Sequence, residues 1–293
     1  MRALIRGSIL AVMFFPFASK NQRRRREVKF MKATLITGAS SGIGEAFARR
    51  LAAERHNLVL VARSEDKLQR LCNQLMLKHK ITAHYVAIDL IDFEADRRLF
   101  DETEKNNIEV DWLINNAGSG SMGIFARLEL ESELEMISLN VMALVALTHR
   151  YLQKMRERGD GGTIINVAST ASFQPVPFMA TYAATKAFVR SFSEAIAEEN
   201  RLFNIKVTAL CPGPTDTKFF KTANAEAFRM KGMQTSEEVV EAALKAVKSG
   251  KATVVSGWTN YLGAKIVNFV PDTLLTRFVG GVLRPKVEKK KQI

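Results

Sequence analysis

The sequence predicts an α/β fold built on a parallel sheet. Three observations carry the prediction. Short apolar runs of strand length alternate with longer stretches in which apolar residues recur every three or four positions. The first such run passes through a glycine-rich turn directly into a helical pattern. The chain is 293 residues long and 47% hydrophobic, enough to bury the core of one large α/β domain or two small ones.

MKATLITG (31–38) is short, apolar and closed by glycine, which reads as a strand buried on both faces. The turn after it holds Gly38, Ser40, Ser41, Gly42, Ile43 and Gly44. Glu45 to Arg55 is helical, with Ile43, Phe47 and Leu51 spaced four apart. Strand, glycine turn and helix together suit a dinucleotide. Glycines admit the backbone close to a pyrophosphate, and the helix N-terminus offers free N–H groups. The second strand, Asn57 to Ala62, ends without the carboxylate that takes ribose hydroxyls in an NAD site. Arg63 stands next and can pair with a 2′-phosphate, so NADP(H) is the expected cofactor. Glu65 to Lys78 is helical and Thr82 to Ile88 is a third strand, followed by Asp89 and Leu90 in a position suited to an adenine ring. Asp92 to Asn106 is helical. A fourth strand begins at Trp112 and ends in Asn115, Asn116, Ala117 and Gly118, small enough there to lie against a cofactor.

Glu131 to Arg158 reads as one long helix containing Asn140. Gly162 to Ala168 is a fifth strand that delivers Ser169 to its C-terminal end, the edge where ligands collect in open parallel sheets. Thr181 to Phe203 is the helix carrying Tyr182 and Lys186. These two are four residues apart and so share one face, one turn apart. An ammonium beside a phenol favours the phenolate and is expected to lower its pKa from the usual value of about 10. A Tyr tuned in this way can give or take a proton near neutral pH, and Ser169 can hold the same substrate oxygen. Ile205 to Cys211 is a sixth strand, followed by Pro212, Gly213, Pro214 and Thr215. A helix opens at Ser236, and Lys251 to Ser256 is a last short strand.

Each of these signals is weak alone. Their joint order over residues 31–257 resembles the short-chain dehydrogenase/reductase family, of the NADP-dependent type, and the run around Tyr182 is similar to the branch holding hydroxysteroid dehydrogenases and 3-ketoacyl reductases. The resemblance implies a Rossmann-like, doubly wound sheet of about seven parallel strands in a single domain. It implies a catalytic set of Asn140, Ser169, Tyr182 and Lys186: Tyr182 as proton donor or acceptor, Ser169 polarising the carbonyl, Lys186 lowering the Tyr182 pKa and holding the nicotinamide ribose, Asn140 positioning a water. Thr215 and the backbone after Pro212 would orient the carboxamide. The implied reaction is hydride transfer between NADP(H) and a carbonyl or alcohol carbon. A homodimer or homotetramer is expected by resemblance alone. The competing readings are an NADP(H)-binding sensor without turnover and a membrane-associated scaffold. The complete catalytic set argues against the first, and the second leaves that set unexplained.

Charge and cysteine usage narrow the class further. The net charge is +13, but residues 1–30 hold eight Lys or Arg against one Glu, and residues 284–293 hold five against one. The body between them is nearly balanced, so a specific nucleic-acid partner is not expected, whereas an anionic membrane surface is within reach of the ends. Cys72 and Cys211 are too few for a disulfide framework and suit a reducing, cytoplasmic compartment. The four histidines lack metal-ligand spacing, so no metal is expected. In the N-terminal extension (1–30), an uncharged run from Gly7 to Ser19 precedes Arg23 to Arg26. It is too short for a membrane span, which needs roughly 20 apolar residues. An anchor, a secretion signal and a start placed before the true Met31 remain as its readings.

Substrate identity is expected to lie in 119–128, 173–179 and 216–234, which contribute Phe125, Phe173, Phe178, Met179, Phe219, Phe220, Phe228, Met230 and Met233. They suit a small apolar carbonyl or alcohol substrate of the fatty-acyl or steroid-like kind, or they pack the loops onto the core. Beyond the last strand lies a C-terminal extension, 258–293. Ile266, Phe269, Val270, Leu274, Leu275, Phe278, Val279, Val282 and Leu283 form apolar helical stripes there, around Pro271. Such an amphipathic segment covers the pocket, packs on another subunit or lies on a membrane.

Overall fold

The computed structural model describes residues 30–223, 225–226, 232–267 and 269–289. The N-terminal segment read above as an anchor, signal or early start lies outside the described residues, as do Phe228 and Met230. Seven parallel strands form one sheet: β1 (Met31–Thr37), β2 (Leu58–Ala62), β3 (Ala83–Ala87), β4 (Ile108–Asn115), β5 (Gly162–Val167), β6 (Ile205–Cys211) and β7 (Thr253–Val255). Their spatial order is β3-β2-β1-β4-β5-β6-β7. The chain therefore winds outward from β1 to β3, crosses back, and winds the other way from β4. The C-terminal ends of β1 and β4 flank the point where direction reverses, the place where open α/β sheets bind ligands.

Side-chain alternation builds both faces of this sheet. Leu35, Val59, Leu113 and Ile164 pack on one face; Ile36, Leu60, Ile114 and Ile165, each one residue later, pack on the other. The register Leu35↔Val59, Leu35↔Leu113 and Leu113↔Ile164 keeps like-facing residues in rows across the sheet. One face is covered by α1 (Gly42–Ala53), α2 (Glu65–His79) and α8 (Ser236–Lys248), through Phe47, Leu71 and Val240 among others. The second is covered by α3 (Ala95–Lys105), α5 (Leu144–Arg158) and α6 (Ala180–Glu199), through Leu99, Tyr151 and Ile196. Strands enclosed on both sides need to be apolar throughout, which is why they read as short continuous runs.

The remaining helices are α4 (Leu130–Ile137), α7 (Phe219–Thr222), α9 (Trp258–Val267) and α10 (Asp272–Lys289). The start of α8 is a capping box: Thr235 accepts from the Glu238 N–H at 3.2 Å and the Glu238 carboxylate accepts from the Thr235 N–H at 2.8 Å. Two sequence expectations change. β4 begins at Ile108, four residues before Trp112, because Ile108 and Val110 are buried in the sheet, while Glu109 between them points the other way and meets Arg158 at 3.3 Å. The long helix expected over Glu131 to Arg158 is interrupted by a π-helical segment, Ser138–Ala143, between α4 and α5. Such wide turns gather at functional sites, and this one contains Asn140.

A chain of buried amides holds the middle of the sheet. Asn115 and Asn166 are register partners on β4 and β5. The Asn115 Nδ2 donates to Asn166 Oδ1 at 2.9 Å and to Thr148 Oγ1 of α5 at 3.0 Å; Asn166 Nδ2 donates to Ser193 Oγ of α6 at 2.9 Å. Two strands and two helices are thereby tied at one level. Removing one member leaves buried polar atoms unpaired, at a cost of about 1–3 kcal/mol. Asn166→Ala is therefore expected to lower the urea unfolding free energy by that amount with an unchanged denaturant slope, and no shift in midpoint would deny the chain its stabilising part.

Candidate active site

The C-terminal ends of the strands converge on one cavity of about 1030 Å³. Its wall includes Gly38, Ser40, Ser41, Gly42, Ile43, Arg63, Asp89, Leu90, Asn116, Ala117, Gly118, Ser169, Tyr182, Lys186, Pro212, Gly213 and Thr215. These come from the ends of β1 to β6 and the start of α6, and sequence reasoning named every one. Two named residues are buried but do not line it. Gly44 sits where a Cβ would press on the Gly38 carbonyl and lie 2.5 Å from Asn116 Nδ2, so its glycine serves the close packing of α1 on the turn. Asn140 stands behind the wall. Its Oδ1 accepts from the Ser119 N–H at 3.0 Å, and its Nδ2 donates to the Ser119 carbonyl at 3.0 Å and to Thr185 Oγ1 at 3.1 Å. Both amide hydrogens are used, so the side chain has none to give the water expected of it.

Tyr182, Lys186 and Ser169 meet at the inner end. The Lys186 ammonium lies 5.8 Å from the Tyr182 ring centre and donates to the Val167 carbonyl, the last of β5, at 2.8 Å. Ser169 has extended backbone and accepts from the Ala171 N–H at 3.1 Å, which fixes its side chain as the cap of a short turn. The Phe219 ring tilts over Tyr182 at 5.3 Å and helps bury it. Burial decides the protonation states. It pushes the Tyr182 phenol above its ordinary value, the Ser169 hydroxyl pulling the other way. The same burial brings Lys186 down to about 8. Burial thus works against the lowering of the Tyr182 pKa expected from Lys186: desolvation disfavours both charges.

At the opposite end Arg63 is largely exposed and meets Asp89 at 3.5 Å. Ser64 and Lys67 line the same end, so two cations and several hydroxyls face this part of the cavity. Among the described residues no group of His, Cys, Asp and Glu is arranged to hold a metal ion.

Residues 32–227 match the family described as short chain dehydrogenase. The chain belongs to this family. Among similar proteins, the very-long-chain 3-oxoacyl-CoA reductase of Mus musculus is 30% identical over 268 residues, covering 88% of this chain and 82% of the relative. A 7beta-hydroxysteroid dehydrogenase of Mediterraneibacter gnavus is 33% identical over 238 residues, covering 79% and 88%. A short-chain dehydrogenase from Sphingobium yanoikuyae, solved in complex with NADPH, superposes with a TM-score of 0.71 at 31% identity, covering 77% of this chain and 87% of its own.

Sequence reasoning on this dehydrogenase passed over two residues. Thr37 Oγ1 accepts from the N–H groups of both Asn116 and Ala117 at 2.9 Å, which pins the β4 end against the glycine turn. Thr185 donates to the Tyr182 carbonyl at 2.7 Å while accepting from Asn140, and so joins the π segment to the helix that carries the phenol. Thr is bland in a helix interior, and only its position one residue before Lys186 could have drawn attention. One buried hydrogen bond is worth about 1–1.5 kcal/mol, or about tenfold in rate. Thr185→Val is expected to lower kcat about tenfold, with NADPH affinity little changed and activity restored in Thr185→Ser. Equal kcat in all three proteins would confine Thr185 to a structural role.

Proposed function

We propose that this chain is an NADP(H)-dependent oxidoreductase that interconverts an apolar ketone, fatty-acyl or steroid-like, and its alcohol. The observation that carries the reading is the convergence of Ser169, Tyr182 and Lys186 on the wall that the glycine turn also lines. The donor set fits the cofactor. The N-terminus of α1 has no side-chain cap from Ser41, which leaves first-turn N–H groups for a pyrophosphate, and Arg63 with Lys67 suits a 2′-phosphate. NADP(H) supplies or accepts the hydride when bound.

The protein's part is orientation and a proton. Ser169 holds the substrate oxygen against Tyr182. The buried phenol, kept protonated, gives that oxygen its proton in the reductive direction. Lys186 places a positive charge beside the oxygen that loses the proton, and Asn140 keeps the helix register through Thr185. Phe173, Met179, Phe219, Phe220, Val279 and Leu283 give the substrate end an apolar lining. Phe125, by contrast, is exposed, and Phe178 and Met233 are not on the wall. The relatives acting on oxoacyl-CoA and hydroxysteroids support this substrate class. Exposed Leu134, Ile137, Met142 and Phe188 on α4 to α6 support a homodimer or homotetramer, and the buried free thiols Cys72 and Cys211 fit the cytoplasm.

Loss of the phenol is expected to cut NADPH-dependent ketone reduction by about 10²–10⁴ in Tyr182→Phe, with NADPH binding retained. Wild-type turnover in that variant would refute the assignment. A charge-assisted pair is worth about 1.5–3 kcal/mol, so Arg63→Ala is expected to weaken NADPH binding about 10–100-fold and NADH binding little. An equal loss for both cofactors would remove Arg63 from phosphate recognition. Lys186, held at about 8, is charged below that pH and neutral above it. Reduction should therefore fall as pH rises through about 8, and a profile flat to high pH would exclude Lys186 from the proton chemistry.

A further inference from the structure

The two C-terminal helices are apolar on two sides. Their inner side belongs to the cavity: Ala264 and Val267 of α9 line it together with Val279 and Leu283 of α10. Their outer side faces solvent. On α9, Trp258, Leu262 and Ile266 recur every four residues and are exposed; on α10, Leu274, Phe278 and Val282 do the same. Phe269, between the helices, is 87% exposed. A helix that packs only on its own protein carries one apolar stripe and a polar opposite face. A second stripe of large apolar residues marks a surface that meets something else.

The charge says what that is. Residues 258–293 hold seven Lys or Arg and two acidic residues. Lys265 lies over the Tyr261 ring at 5.8 Å, and the Trp258 and Tyr261 rings stack at 5.8 Å. Aromatic rings with polar tips beside lysines favour the boundary between lipid headgroups and acyl chains. A second copy of this surface would bring like charges together across a two-fold axis. An anionic bilayer takes up the apolar stripe and pairs with the cations. Among the described residues no helix is long and apolar enough to cross a membrane, so the contact is peripheral.

We propose that α9 and α10 seat the enzyme on an anionic lipid surface, with the outer stripe immersed and the inner stripe walling the substrate end of the cavity. Val282 is both half exposed and on the cavity wall, which puts the lipid-facing side and the pocket on one turn of helix. An apolar ketone dissolved in the bilayer then reaches the cavity along α10 without crossing water. The docking stands on this surface alone; the access route rests on the apolar-ketone reading.

The test uses the full chain and a variant carrying Ile266→Asp, Phe269→Ser and Phe278→Asp, all exposed and none on the cavity wall. Co-sedimentation is measured with vesicles of phosphatidylcholine alone and of phosphatidylcholine with phosphatidylserine. The wild-type chain is expected to pellet with the anionic vesicles, less so at high salt, and the variant to bind about tenfold more weakly or worse. Binding by the N-terminal segment would survive these substitutions, so equal pelleting of variant and wild type overturns the proposal. Equal pelleting on neutral vesicles overturns it too. A fall in oligomer mass by light scattering in the variant, with no vesicle binding by the wild type, would assign the stripe to a contact between copies instead. Turnover separates docking from function. The variant should reduce a short water-soluble ketone at the wild-type rate and lose rate about tenfold on a long-chain ketone presented in vesicles. Vesicle binding with no turnover on any ketone would sink the reductase reading and leave docking standing.

Discussion

The amide pair between Asn115 and Asn166 sets the geometry on which the site depends. It locks β4 and β5 in register at their C-terminal ends, and the residues that follow line the cavity: Asn116 to Gly118 on one side, Val167 to Ser169 on the other. Through Thr148 and Ser193 the same pair reaches α5 and α6, so the helix carrying Tyr182 and Lys186 is referenced to the strands it faces. Both amide N–H groups of the pair are used, while Asn115 Oδ1 is left buried without a hydrogen-bond partner. The pair's members lie behind the cavity wall, one to three residues before the strand-end residues that line it.

At that wall, burial creates an unusual pairing of charge states. Lys186 and Tyr182 are both nearly inaccessible, and desolvation pushes each toward its neutral form: the ammonium becomes easier to neutralise and the phenol harder to ionise. The Val167 carbonyl compensates the ammonium, and Gly118 makes room for it; a Cβ there would stand 3.4 Å from Lys186 Nζ and 3.0 Å from Asn140 Oδ1. The result is a proton-bearing oxygen next to a cation whose charge is conditional on pH. This suits delivery of a proton to a carbonyl oxygen better than it suits a standing phenolate.

The glycine turn and the six strand ends that line the cavity were legible because each rests on local chemistry. A buried strand has to be apolar, a pyrophosphate cradle has to be small, and a Tyr–Lys pair on one helical face has to be four residues apart. The parts that escaped are those in which one residue answers to a distant one. Thr185 looks ordinary until Asn140 is seen to donate to it across 45 positions, and Asp89, in the loop after β3, is an acid that ends up beside Arg63. The π segment escaped because its residues fit an α-helix as well.

The C-terminal stripes show the division most clearly. Their apolar spacing, their basic neighbours and the break at Pro271 are all local, and the sequence alone determined that an amphipathic helical extension follows the last strand; its division into α9 and α10 came with the structure. It equally determined the glycine turn after β1, the order and spacing of Ser169, Tyr182 and Lys186, and the absence of an acid at the end of β2. Which apolar residues turn inward was decided only in three dimensions, where Val279 and Leu283 close the cavity while Phe269 and Phe278 stay outside it. The protonation of Tyr182 was decided there as well. Spacing fixes which groups are neighbours, but the sign of a pKa shift depends on how much water the surrounding fold removes.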